Sequence, residues 1–269
     1  MAAKRNQKRR RGHDGRPISE QPQKQTIKYN DPCDPRLKYE GCVLHDQFHS
    51  YGKLYMKSKG YYDGNWHQHK RCGFGVEIFP PCHELSYCFY EGYWSDDFFH
   101  GLGKLATIDG HIYDGTWDHG LLLHGVHEFL SASSEIRWKY DGCFQGGLRH
   151  GRGRYCDNVG FSYEGDWVEG KRHGHGTLKY TCPQNSEEFQ YVGDFYVNKL
   201  HGHGTLTSRR GLLYEGEWKD GKKHGHGLMF YDKSDPYNRY SYIGGFVHDV
   251  PDGSGITTYQ DHPFYAETF

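Results

Sequence analysis

Tyr214-Glu215-Gly216-Glu217-Trp218-Lys219-Asp220-Gly221-Lys222-Lys223-His224-Gly225-His226-Gly227 is the stretch whose reading decides the fold. Tyr214, Gly216 and Trp218 stand at i, i+2 and i+4, so on an extended strand they share one face. Glu215 faces the other way. The segment around Gly221-Lys222-Lys223 reads as a turn. A second short strand then carries Gly225 and Gly227 on one face and sets Trp218 roughly opposite them. Glycine in a strand marks close approach of another group, so these positions are expected to form slots for neighbouring rings. They also argue against a helix, where each would cost about 1 kcal/mol.

The same grammar runs from Tyr163 through Gly165 and Trp167 to Gly176, and it recurs at Tyr62, Tyr90, Tyr113 and Tyr140. It is weaker at Tyr39, Tyr191 and Tyr242, and at the unit begun by Tyr39 Val43 replaces the second ring. In one unit His124-Gly125 arrives one residue late, behind Leu121-Leu122-Leu123. A single hairpin is at best marginally stable in water, so successive hairpins are expected to pair edge to edge. The expected fold is all-β: an elongated, twisted antiparallel ribbon of about nine stacked hairpins, advancing roughly 10 Å per hairpin. Its predicted aromatic ladder comprises Tyr62, Trp66, Tyr90, Trp94, Tyr113, Trp117, Tyr163, Trp167, Tyr214 and Trp218.

The pattern Y-x-G-x-W-x-x-G-x-x-H-G-x-G resembles the MORN repeat (membrane occupation and recognition nexus), from about Lys38 to Tyr259. Proteins with such repeats include radial-spoke-head and other axonemal proteins, cytoskeletal scaffolds of protists and proteins of membrane junctions. The resemblance implies a non-enzymatic interaction scaffold in a cytoplasmic, cytoskeletal assembly, of which an axonemal, radial-spoke-like complex of a cilium or flagellum is favoured. The alternative is a peripheral membrane adaptor that binds anionic phospholipid. The organisation read from the chain is a basic, disordered tail over 1–37, nine repeats over 38–259 and an aromatic tail over 260–269. That last segment either caps the sheet or plugs into a partner.

A longer period overlies the repeat. The opening tyrosines are separated alternately by short and long intervals, so the true unit is a pair of hairpins. The long connections, such as Pro183 to Glu188 and Asp232 to Pro236, fall on one edge of the ribbon as four evenly spaced teeth. They record either an inherited duplication or docking points for a repetitive partner. The opposite edge gathers bases: Lys70, Arg71, Arg149, Lys171, Arg172, Lys199, Lys222 and Lys223. With Arg9, Arg10 and Arg11 of the tail, these are the candidate partner-binding residues, suited to acidic surfaces such as tubulin tails or to anionic headgroups. The plain alternative is an ordinary solvated edge, because Glu169 and Asp220 sit among them.

Composition narrows the classes further. Among 269 residues there are 37 glycines, 16% aromatic residues and only 3 methionines. Collagen is excluded by the lack of a Gly-X-Y period, and global disorder by the wealth of rings. No run is long and apolar enough for a membrane helix. The net charge of −1 conceals a tail of +7 over residues 1–28. That tail has no apolar core of a secretory signal, and no aromatic interleaving for stacking on nucleic acid. Eight scattered cysteines without a C-x-x-C read as reduced cytosolic thiols.

Twenty histidines include the H-x-H pairs His173/His175, His201/His203 and His224/His226, but no Cys accompanies them at fixed spacing, so no metal or cofactor is expected. Gly101-Leu102-Gly103-Lys104 lacks the full phosphate-loop pattern, and no hydrolase, kinase or zinc-protease signature occurs. Several histidines of ordinary pKa predict that mild acid loosens the fold.

Overall fold

The computed structural model describes residues 21–81, 85–131, 135–184 and 186–260, together with the backbone of Glu267–Thr268. All the regular structure described is β-strand. Two compact units divide the chain, one up to Gly101 and the other from Leu102, and the division falls inside β7 (Phe98–Thr107). The first unit contains β1 (Gln23–Lys28), β2 (Arg36–Leu44), β3 (Gln47–Met56), β4 (Tyr61–His67), β5 (Lys70–Ile78) and β6 (Tyr87–Ser95). From β1 to β6 each strand pairs antiparallel with the next.

In the second unit, β8 (His111–Asp118), β9 (Leu121–Leu130), β10 (Ile136–Gln145), β11 (Leu148–Asp157), β12 (Ser162–Val168) and β13 (Lys171–Thr181) form the same kind of meander. It continues through β14 (Glu188–Tyr196), β15 (Lys199–Ser208), β16 (Gly211–Lys219), β17 (Lys222–Phe230), β18 (Arg239–Val247) and β19 (Val250–Tyr259). The short strand β20 (Glu267–Thr268) returns to place Thr268 opposite Ile256. The C-terminal backbone therefore covers part of the β19 edge, where unpaired amides and carbonyls would otherwise invite another strand.

The turns inside repeats are tighter than the sequence suggested. Asp220-Gly221 alone makes the turn before β17, with φ of 52° and 84°, and Lys222-Lys223 already belong to the strand. The same two-residue turn, both φ positive, recurs at His45-Asp46, Gln68-His69, Asp96-Asp97, His119-Gly120, Gly146-Gly147, Glu169-Gly170, Val197-Asn198 and His248-Asp249. This is the hairpin turn whose twist matches that of the flanking strands.

The glycines divide into two kinds of work. Gly216 and Gly227 lie directly opposite each other, and a Cβ on either would fall within 2.7 Å of the Tyr214 hydroxyl. The Tyr214 ring thus lies flat over the backbone of its own hairpin, fully buried, and its hydroxyl donates to the Glu217 carbonyl at 2.9 Å. Gly225, expected to be another ring slot, is instead at φ +56 in a bulge. There Gly225 and His226 have no partner on β16, and the Glu217 carboxylate accepts the His226 amide at 2.9 Å. A residue with no Cβ meets that left-handed backbone at least cost. In the second unit the paired glycines form an unbroken line from Gly115 on β8 to Gly255 on β19.

The tryptophans also differ from expectation. Trp218 faces Lys223 within its own hairpin, and its indole N–H reaches back to the Gly204 carbonyl of the preceding one at 3.1 Å. It meets the preceding Tyr191 edge to face at 5.4 Å, as Trp167 meets Tyr140. Each hairpin is therefore sealed by a ring from the next, which is why the hairpins stack instead of folding alone. The remaining predicted ladder residues are buried as well, except that Tyr113 is only half-buried. In that irregular unit the Tyr113 ring leaves its glycines and stacks on His127 at 4.0 Å.

Part of the segment expected to be a disordered tail, 1–37, is regular structure. Gln23–Lys28 forms β1 along the open edge of β2, placing Ile27 opposite Tyr39. Between Pro22 and Pro32 the tail has no proline or glycine, and β2 offers an edge to the strand that forms there. Arg9, Arg10 and Arg11 lie outside the described residues.

Candidate functional site

In six hairpins the second residue past the turn lies over the buried tyrosine of its own hairpin. Phe48 stacks on Tyr39 at 3.8 Å and Phe99 on Tyr90 at 3.9 Å. At the same position stand Arg71, Leu122, Arg149, Arg172, Leu200, Lys223 and Pro251. Either an apolar group or a cation over a ring face serves there. Sequence reasoning missed this role because the position alternates between chemical classes, and turns placed one residue late hid the common spacing.

Half of the candidate basic edge is consequently directed inward. Arg71 lies 4.3 Å over the Trp94 ring and ion-pairs with Glu77 and with Asp97. Burial raises the Glu77 carboxyl, an effect that the Arg71 charge opposes. Arg149 is caged by Trp138, Tyr140, Tyr155 and Trp167, at 4.9 to 5.3 Å from each centroid, with no ion-pair partner among the described residues. Arg172 covers Tyr163 and Phe195, and donates to the Asn198 carbonyl at 2.9 Å. Lys223 lies 5.3 Å over Tyr214. Burial lowers the pKa of Arg149, Arg172 and Lys223, the cost of seating a cation among rings. The preceding residues Lys70, Lys171 and Lys222 stay exposed, although Lys70 pairs with Asp96 at 3.0 Å and Lys199 with Asp220 at 3.2 Å.

The histidines follow no single rule. His127 is held neutral, with its pKa lowered to about 3 by burial, then by His111 and Arg149. Its Nε2 lies 3.1 Å from His111 Nδ1 and its ring meets Trp138 at 4.7 Å. His175 is exposed on the other side of the sheet, 3.2 Å from Asp194.

That other side is the open face. In the second unit the row beside the glycine line runs Arg152, Asp166, His175, Asp194, His203, Glu217 and His226 across successive strands. The equivalent row of the first unit is Cys42, Tyr51, Asn65, Phe74 and Tyr93. Identical backbone thus carries a titratable row in one unit and an aromatic one in the other.

Comparison with known proteins agrees with this repeat geometry. The model of the family described as "MORN repeat" matches residues 39–60, 62–81, 90–112, 140–160, 163–181, 191–212, 214–235 and 242–262. The hairpin it passes over is the irregular one opened by Tyr113. Curated relatives include Alsin of Rattus norvegicus, 29% identical over 182 residues, and Alsin of Homo sapiens, 28% identical over 181. In each case the match takes in 67% of this chain and 9% of the relative, so the chain spans only a small part of those proteins. Repeats of this type are non-enzymatic scaffolds for protein or membrane-lipid interaction. With well over half of its residues matched, the chain belongs to the MORN-repeat family.

Proposed function

We propose that this chain is a scaffold that holds other proteins in a cytoplasmic, cytoskeletal assembly. The carrying observation is the division of the sheet: one face is sealed by its own rings, while the other presents exposed side chains, among them His175 and Phe74, that are not buried in that seal. Surfaces of that kind bind by display and need no chemistry. The narrower reading, an axonemal assembly of the radial-spoke kind, rests on the resemblance of the repeats to those of ciliary proteins. Protein partners are preferred over anionic lipid because Arg71, Arg149, Arg172 and Lys223 are spent on rings, which thins the basic edge. Lys171 and Lys222 remain for acidic surfaces, tubulin tails among them, and Arg9, Arg10 and Arg11 would add to them.

The test is a tagged pull-down from ciliated cells, read by mass spectrometry, alongside co-sedimentation with acidic liposomes. Recovery of axonemal proteins without liposome binding is expected. Tight, salt-sensitive liposome binding with no axonemal protein recovered would transfer the chain to the adaptor class.

A further inference from the structure

The aromatic row of the first unit lies outside the buried rings that seal the other face of the sheet. Tyr51, Phe74 and Tyr93 are 60%, 46% and 49% exposed, on the face opposite the buried rings. The second unit builds the same strands with charged residues at the equivalent positions, so the fold does not require rings there. Exposed contiguous apolar surface in a folded chain marks an interaction site.

Tyr51 on β3 and Phe74 on β5 flank β4, whose backbone at Gly64 forms part of the floor. Between them lies a slot of about 320 Å³, lined also by Tyr61, Asp63, Asn65 and Val76. Phe74 meets Tyr93 on β6 edge to face at 5.7 Å. The charges beside the slot on β2 to β4 are already matched: Asp63 ion-pairs with Lys53 at 3.2 Å and accepts the Tyr51 hydroxyl, and Glu40 pairs with Lys38 at 2.7 Å. Asn65 spends one amide hydrogen on the Phe74 carbonyl at 3.0 Å and keeps a second for a ligand.

We propose that this row binds an uncharged, proline-rich segment of a protein partner, laid across the strands as a polyproline II helix. From the slot on β4 to the Tyr93 ring on β6 is two strand spacings, about 9.6 Å. One turn of polyproline II is three residues, about 9.3 Å. A proline seated between Tyr51 and Phe74 therefore brings the proline three residues on against Tyr93. The helix has no internal hydrogen bonds, so its carbonyls are free to accept from Asn65. The matched Lys53–Asp63 and Lys38–Glu40 pairs beside the slot suit a ligand without charge. The proposal rests on the scaffold reading only in taking the partner to be a protein.

The test is fluorescence anisotropy of labelled decaproline titrated with the full chain. Saturable binding is expected, weakened at least about tenfold by Phe74→Lys or Tyr51→Lys, the loss of one aromatic anchor. Both positions are surface sites, so circular dichroism and melting temperature should match wild type. His175→Lys, in the equivalent row of the second unit, should leave affinity unchanged. No saturable binding, or equal affinity in a folded Phe74→Lys, overturns the proposal. So does a synthetic peptide of residues 4–16 that occupies the row in preference to decaproline. A concentration-dependent dimer dispersed by Phe74→Lys would assign the row to a second copy instead. A failed titration leaves the pull-down result standing, so the two readings fail separately.

Discussion

Gly204→Ala tests the packing on which every hairpin depends. A Cβ at this position would lie 2.2 Å from the Tyr191 hydroxyl oxygen and 2.3 Å from the ring carbon bearing it. Tyr191 is fully buried, so its ring must lift by about 1 Å to restore ordinary contact. Lifting it strains the hydrogen bond to the Asp194 carbonyl, now 3.0 Å, worth about 1 kcal/mol net. It also opens the edge-to-face contacts with Phe195 at 5.2 Å and Trp218 at 5.4 Å, each worth about 0.5–1.5 kcal/mol. Replacing glycine in a strand returns roughly 0.5 kcal/mol through the unfolded chain. The net expectation is a loss of about 2–3 kcal/mol in urea unfolding. The decisive arm repeats the substitution in a Tyr191→Val background, where there is no ring to displace and the cost should nearly vanish. A Gly204→Ala chain as stable as wild type, or one equally destabilised in both backgrounds, would refute the slot mechanism.

Three further outcomes follow from the same geometry. Arg149→Ala should cost about 2 kcal/mol by uncovering Tyr140, whereas Arg149→Leu, copying Leu122 and Leu200, should cost less than about 1 kcal/mol; a leucine variant as weak as the alanine one by urea titration would mean that charge outweighs cover. His127 is buried neutral with a pKa near 3, below its value of about 6.5 in an unfolded chain, so the unfolded chain takes up the proton first. Its contribution to stability is complete above about pH 6.5 and is lost as pH falls towards 3, with a slope below about 1.4 kcal/mol per pH unit because the residue is not fully buried. Melting temperature should fall over that window in wild type and less in His127→Phe, and parallel curves would remove His127 as the cause. Lys171→Glu with Lys222→Glu, both exposed, should leave stability within about 0.5 kcal/mol; a larger thermal shift would show that these residues also carry packing.

What was legible in the sequence was whatever the repeat forces on every copy. Tyr214 and Trp218 on one face, the glycine partners and the alternation of connections all follow from period two and strand pairing. What was not legible depended on a shift of a single residue. Placing the turn at Gly221-Lys222-Lys223 instead of Asp220-Gly221 made Lys223 a turn residue, when it is a strand residue folded over Tyr214. Arg71, Arg149 and Arg172 were read as edge charge for the same reason. Gly225 and Gly227 look alike in the pattern, yet one serves a bulge and the other a ring, because the bulge is set by the carboxylate of Glu217 on the facing strand. The strand Gln23–Lys28 escaped notice because its pairing is supplied by β2 and not by any repeat of its own.

This separation of faces also explains how such a chain can diversify. The ring side is self-referential: Tyr191 contacts Phe195 of its own hairpin and Trp218 of the next, so a change there is felt by two hairpins at once. The open side is constrained more locally, at the bulges where Asp166, Asp194 and Glu217 accept the amides of His175, His203 and His226. His175 and Phe74 occupy equivalent places on equivalent strands, and each leaves the backbone beneath it as it was. Partner choice is thus expected to be encoded in the residues flanking the glycine line, where Tyr51, Phe74 and Tyr93 differ most from the charged row of the second unit. Exchanging those three for the residues of that row should move binding while leaving the urea midpoint in place. If the midpoint moved with the binding, the faces would be coupled, and the outer row would have to be counted as part of the core.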